Sequence, residues 1–235
     1  MSSLKHAPPL NDLLAALPRS DRQHLLARST QVELTYADVL YESGERIRHV
    51  HFPNRGLISL LTPMHRRPSV EVCMVGREGM AGIPLFLGVD VSPMRALVQG
   101  SGSAMRITAA AFRDEAERSP SLRRQLNRYL YTFFVQVAQT AACNSNHQLG
   151  PRLARWLLMT HDRVQSDEFY LTQEFLSQML GVQRAGVTKA AGLLQKKKLI
   201  RYRRGRITIL NRRGLERASC ECHSVVNKMS GRTRH

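Results

Sequence analysis

The spacing of hydrophobic positions changes character several times along the chain. Over residues 11–28, Leu13, Leu14 and Leu17 precede Pro18, and Leu25 and Leu26 follow it. This spacing predicts a short helical lead-in interrupted at the proline. From about residue 30 to 107 short apolar runs recur at 39–41, 50–52, 57–61, 70–75, 96–98 and 104–107, with glycines at 44, 56, 76, 79, 82, 88, 100 and 102. Short strands spaced by glycine turns predict a small antiparallel barrel or roll. Residues 109–117 then predict a short helix ended before Pro120, and residues 121–144 a long one. On the long helix Leu122, Leu126, Tyr129, Phe133, Val137 and Thr140 repeat at three and four, and Leu130, Phe134, Ala138 and Ala141 make a second stripe beside them. A helix apolar on two faces must bury both. One face is expected against its own roll. The other is expected against a second copy of the chain, and Leu126, Tyr129, Leu130, Phe133, Phe134 and Val137, drawn from both stripes, are the candidate dimerisation residues.

Asn144, Ser145, Asn146, Gly150 and Pro151 mark a joint, after which Leu153, Trp156, Leu157 and Leu158 predict a helix over 152–164. Residues 171–194 are the most informative stretch. Leu176, Met179 and Leu180 form one short apolar face, and Val187, Ala190, Ala191 and Leu194 a second, with Gly181 between them. Thr172 is a candidate cap for the first helix, and Gly181 can take the positive φ that a tight turn demands. This is the pattern of a helix-turn-helix, whose second helix enters the DNA major groove. Residues 184–214 hold eleven Lys or Arg and no Asp or Glu. Residues 199–210 predict two short strands around a turn at 203–205, with Ile207 and Ile209 on one face, so a basic wing follows the second helix.

Composition sharpens this picture. The chain has 235 residues, a length that favours two domains, and a net charge of +17, which points to a polyanionic partner. The first ten residues lack an apolar core of signal-peptide length. The uncharged stretch 129–151 carries Gln136, Gln139, Asn144, Asn146 and Gln148, too polar for a membrane span of about 20 mostly apolar residues. A cytoplasmic location without membrane contact is expected. Structural disulfides among Cys73, Cys143, Cys220 and Cys222 are not expected in that compartment.

The order of roll, long helix and winged helix-turn-helix resembles the Crp/Fnr family of bacterial transcription regulators, over nearly the whole chain. The resemblance implies an α+β fold: a β-roll sensor domain of the cyclic-nucleotide-binding type over 1–119, a dimerisation helix and hinge over 120–146, and a winged helix-turn-helix over 147–235. It implies a homodimer on double-stranded DNA at a palindromic site, a small-molecule effector at the roll, and RNA polymerase as a further partner. By position, Gln183, Arg184, Ala185, Thr188 and Lys189 face the groove, with Thr172, Gln173, Arg201, Arg203, Arg204 and Arg206 as further DNA-contacting candidates. Ala185 stands where the family often has an acidic residue, a departure from its common half-site reading.

In the roll, residues 79–86 look like the family's short helix-bearing loop, with Gly82 as its leading glycine, and residues 92–98 like the strand after it. The effector pocket is therefore expected around Gly82, Ile83, Met94 and Arg95. Nucleotide-binding members use a Glu in the loop for the ribose and an Arg on the strand for the cyclic phosphate. Ile83 and Met94 occupy those positions here, and Arg95, one residue along, falls on the opposite strand face. Cyclic AMP is accordingly not the expected effector.

Other chemistry is sparse. His49 and His51, two apart on one strand, resemble part of the metal motif of cupin enzymes, which makes a cupin-like metal enzyme with a nucleic-acid module the alternative. No carboxylate follows until Glu71. Cys220, Cys222 and His223 are soft ligands crowded near one end, expected to lie on a surface tail. The family's oxygen sensors hold an iron–sulfur cluster through cysteines near the N-terminus, and no cysteine precedes Cys73. No phosphate-cradling loop or nucleophile triad is present. A non-enzymatic protein with no metal and no cofactor is expected.

Overall fold

The computed structural model of the chain describes residues 10–65 and 67–229. Two short helices, α1 (Asp12–Ala15) and α2 (Arg19–Ala27), lead into the strands β1 (Thr30–Leu34), β2 (Val39–Tyr41), β3 (His49–Met64) and β4 (Arg67–Val75). The short helix α3 (Ile83–Phe86), strand β5 (Arg95–Thr108) and helix α4 (Ala109–Arg118) follow. The long helix is α5 (Pro120–Asn146), and the next is α6 (Leu149–Val164). Then come β6 (Glu168–Tyr170), α7 (Gln173–Leu180), α8 (Arg184–Lys196), β7 (Ile200–Arg203), β8 (Arg206–Ile209), α9 (Arg212–Ala218) and α10 (Cys222–Met229).

The roll is a five-stranded antiparallel sheet in the order β1-β5-β3-β4, with β2 also on β5. Its strands are fewer and longer than the apolar runs suggest. Runs 50–52 and 57–61 are one strand, β3, and runs 96–98 and 104–107 are one strand, β5, with register shifts between Pro53 and Ile58. The glycines expected as turns there sit inside the pairing. A Cβ on Gly56 would stand 2.5 Å from the Gly100 carbonyl oxygen, and one on Gly102 2.3 Å from that of Arg55. Glycine here permits close backbone approach at a bulge rather than chain reversal.

Strand alternation divides the roll's side chains between two cores. Val50, Phe52, Ile58, Leu60, Val75, Ala96, Val98 and Ile107 point inward and fill the roll together with Ile83 and Leu85 of α3, all buried. Leu57, Leu61, Met74 and Leu97 point outward and join the core built by α6, α7, α8 and the wing. The two halves of the chain thus pack on one another through apolar surface.

Polar groups are embedded in that junction. The buried Glu71 accepts from the Trp156 indole N–H (2.8 Å) and the Ser59 hydroxyl (2.5 Å). Burial pushes its carboxyl up to about 7; hydrogen bonds from Ser59 and Trp156 and the charges of Arg155 and Arg163 offset part of the rise. Gln99 donates to Thr160 at 3.3 Å, and Arg163 pairs with Glu78 at 2.7 Å.

Helix α5 starts at a local signal: Pro120 follows Ser119, whose hydroxyl accepts from the Leu122 amide at 3.1 Å. Leu122, Leu126 and Tyr129 are buried, and Leu130, Phe133 and Val137 pack partly on the roll core. The other side of the helix is open: Tyr131 is 59% and Phe134 67% exposed, and Ala138 and Ala141 are exposed with them.

Candidate nucleic-acid interface

Helices α7 and α8 form where local sequence dictates. The Thr172 hydroxyl caps α7 by accepting from the Phe175 amide at 3.0 Å. Gly181 closes it in the left-handed conformation, φ 64° and ψ 38°, and the Val182 amide donates back to the Ser177 carbonyl at 2.9 Å. Helix α8 turns Val187, Ala190, Ala191 and Leu194 inward onto the shared core, so its remaining faces are committed to solvent. Gln183, Arg184, Ala185, Thr188 and Lys189 are all exposed on that outer side. The α8 N-terminus has no side-chain cap, which leaves amide donors and the positive end of the helix dipole facing outward. Thr188 Oγ1 donates to Gln173 Oε1 at 2.8 Å and fixes the two helices' polar side chains relative to each other.

The wing stands beside this helix. Strand β8 lies between β6 and β7, and Arg203 pairs with Arg206 across a two-residue turn in which both Arg204 and Gly205 have positive φ, 50° and 77°. That is the primed hairpin turn that matches strand twist. Two bonds fix the wing: the Tyr202 hydroxyl donates to the carbonyl of Leu171, just before α7, at 2.7 Å, and the Tyr202 amide donates to Gln195 Oε1 of α8 at 2.7 Å. Helix and wing enclose an open groove of about 550 Å³ lined by Tyr170, Thr172, Gln173, Arg184, Thr188 and Arg204, among others. Arg201, Arg203, Arg204 and Arg206 are exposed. Arg206 meets Glu168 at 2.7 Å in a surface ion pair, a contact of little energetic weight. Among the described residues no ion pair engages Arg184, Lys189, Arg201, Arg203 or Arg204. The surface is therefore basic, rigidly held and uncommitted.

Residues 151–218 match the model of the Crp-like helix-turn-helix domain. Solved structures extend the likeness beyond it. The c-di-GMP responsive global regulator CLP of Xanthomonas campestris superposes with a TM-score of 0.67 at 13% identity, over 82% of this chain and 99% of that one. FixK2 from Bradyrhizobium japonicum gives 0.68 at 13% identity, over 82% and 98% of the two chains. A putative Crp/Fnr-family transcriptional regulator of Eubacterium rectale gives 0.67 at 16% identity, over 88% and 97%. No curated protein matches by sequence. Residues 151–218 thus form a Crp-like helix-turn-helix domain, and the chain shares its overall fold with these solved regulators.

Within the roll, Gly82 opens α3 in the left-handed region, φ 108°, and Ile83 is buried. Met94 packs partly on the roll core. Arg95 begins β5, with Ala96 and Val98 turned inward and Leu97 outward. Alternation puts Arg95 on the outer face with Leu97, and its Nε lies 3.3 Å from Glu42 Oε1.

His51 is buried with Nδ1 unpartnered among the described residues; burial, with the neighbouring His49 and Arg106, pushes its imidazole down to about 4. Among the described residues, His49 and His51 belong to no group of three potential metal ligands.

Cys220, Cys222 and His223, expected on a surface tail, are buried instead, because α10 packs on α5 and α6; Glu221 between them is exposed. His223 Nε2 reaches Asp162 at 3.1 Å, where Arg212 also binds at 2.6 Å. Burial alone would raise the Asp162 carboxyl, but the His223 hydrogen bond and the Arg212 charge hold it well below the usual range. Among the described residues no helix is long and apolar enough to cross a membrane.

Proposed function

We propose that the protein is a non-enzymatic transcription regulator that binds a two-fold symmetric DNA site as a homodimer. The observation that carries this is the outer side of α8, where Gln183, Arg184, Thr188 and Lys189 are exposed beside Arg201, Arg203 and Arg204 of the wing, which form no ion pair among the described residues. An Arg near the start of a recognition helix donates two bonds to guanine O6 and N7, while the wing cations and the uncapped α8 amides suit phosphates. Dimerisation is supported by Tyr131, Phe134, Ala138 and Ala141, an exposed apolar stripe on the longest helix. The division into a roll over 1–119, a dimerisation segment over 120–146 and a DNA-binding domain over 147–235 belongs to the same proposal.

The roll would respond to a signal other than cyclic AMP. A buried cyclic phosphate needs a cation beside it. Ile83 and Met94 offer none, and Arg95 lies against Glu42. The test of the main proposal is selection of the purified protein against random DNA. Enrichment of an inverted repeat with half-sites about one helical turn apart is expected. Recovery of no motif overturns it.

A further inference from the structure

Three cysteines and a histidine from distant parts of the chain converge at the end of the long helix. Cys143 lies in the last turn of α5 and His147 is its C-cap residue, while Cys220 precedes α10 and Cys222 begins it. Their donor atoms all lie within 4.8 Å of one another. Cys143 Sγ is 3.5 Å from Cys220 Sγ, and Cys222 Sγ is 3.5 Å from His147 Nδ1. A tetrahedral ion with Zn–S of about 2.3 Å and Zn–N of about 2.0 Å has S···S edges of about 3.8 Å and S···N edges of about 3.5 Å. The four donors are already spaced as ligands of a single ion.

The surroundings fit the same chemistry. The other ring nitrogen of His147, Nε2, lies 3.2 Å from Glu221 Oε1, a carboxylate that orients the imidazole and leaves Nδ1 directed at the thiols. Gln139 Nε2 donates to Cys222 Sγ at 3.0 Å, the kind of outer bond that a thiolate ligand accepts. Three thiolates and a neutral imidazole around Zn²⁺ leave one net negative charge. Two buried arginines act electrostatically on this cluster, Arg155 on Cys143, and Arg152 on Cys143 and Cys220. Nε and Nη1 of Arg155 and Nε of Arg152 have no hydrogen-bond partner among the described residues. Buried cations with unmet donors are costly unless an anionic group faces them.

We propose that Cys143, His147, Cys220 and Cys222 bind one zinc ion per chain in a closed tetrahedral site that fastens α10 to the end of the long helix. Soft thiolates with one imidazole select zinc over magnesium, calcium or manganese, and four protein ligands leave no open position for catalysis. The staple sits at the joint between α5 and α6, where His147 lies, and so holds the connection through which the roll and the DNA-binding domain are linked.

Elemental analysis of the full-length protein, produced without a histidine tag and purified under reductant, tests this. One zinc per chain is expected. Cys143→Ser and His147→Ala should reduce zinc to background, whereas His223→Gln should retain it, because His223 faces Asp162. Should the ligand variants fail to fold, wild-type protein stripped by chelator is titrated with cobalt(II). The visible bands of tetrahedral cobalt with thiolate charge transfer should appear at one equivalent and vanish on adding zinc, and zinc should raise the thermal midpoint of the stripped protein. Folded protein that holds no zinc and gives no tetrahedral cobalt spectrum overturns the site. Stoichiometric iron in place of zinc, or a Cys143–Cys220 disulfide trapped by alkylation directly from cells, overturns it as well.

Discussion

Raising pH should loosen the packing of α6 on the roll, and Glu71 is the group responsible. Its carboxyl is fully buried between the Trp156 indole and Ser59, with Gln99, Arg155 and Arg163 around it. Burial moves it from 4.5 to about 7. At ~1.4 kcal/mol per tenfold change, that shift corresponds to roughly 3 kcal/mol of preference for the neutral form. Between these two values the docked chain holds a proton that a solvent-exposed Glu71 has released. Docking is therefore at full strength below about pH 4.5 and weakens as pH rises through about 7. Glu71→Gln keeps an oxygen for the Trp156 donor and removes the titration. The chain contains one tryptophan, so its emission reports on this junction alone. Wild-type emission should change with a midpoint near 7 and urea stability should fall between about 4.5 and 7, and both changes should vanish in Glu71→Gln. The variant should match wild type at pH 4 and exceed it at pH 8 by up to ~3 kcal/mol. Identical pH profiles for the two proteins, or wild-type stability that rises between pH 5 and 8 through Glu71, would refute the reasoning.

Phe134→Glu should break the proposed dimer. Its ring is 67% exposed in the single chain. Covering roughly 130 Å² of it is worth ~3 kcal/mol per protomer, so the dissociation constant should rise at least ~1,000-fold in sedimentation, with DNA affinity falling in parallel. An unchanged dimer would place the interface elsewhere. Arg184→Ala should cost roughly 1–3 kcal/mol and relax preference at one base position, whereas Arg204→Ala should weaken all sequences alike and lower the salt slope by about 1. Equal effects of the two on every sequence would contradict the division of roles. Calorimetry with cyclic AMP and cyclic GMP should show no saturable binding at low micromolar concentration. Binding abolished by Arg95→Ala would overturn the exclusion.

What the sequence determined by itself is what depends on neighbours in the chain. The helix-turn-helix was legible because Thr172, Gly181 and the spacing of three and four in Val187, Ala190, Ala191 and Leu194 act within one or two turns. The same holds for the start of α5 at Ser119 and Pro120 and for its two apolar stripes, although only the packed roll showed which stripe stays open. Gly56 and Gly102 illustrate the limit. As punctuation they suggest turns, but they are needed where β3 and β5 approach across more than forty residues of sequence. Glu71 shows it again: an ordinary strand carboxylate in the sequence acquires its partner Trp156 only when α6 docks. The cysteines show it most directly. Adjacency grouped Cys220 and Cys222 with His223, whereas folding turned His223 to Asp162 and brought in Cys143 and His147 from the far end of α5. Backbone geometry fixes contacts a few residues apart whatever the rest of the chain does, but contacts between remote residues exist only once apolar burial has brought their helices and strands together.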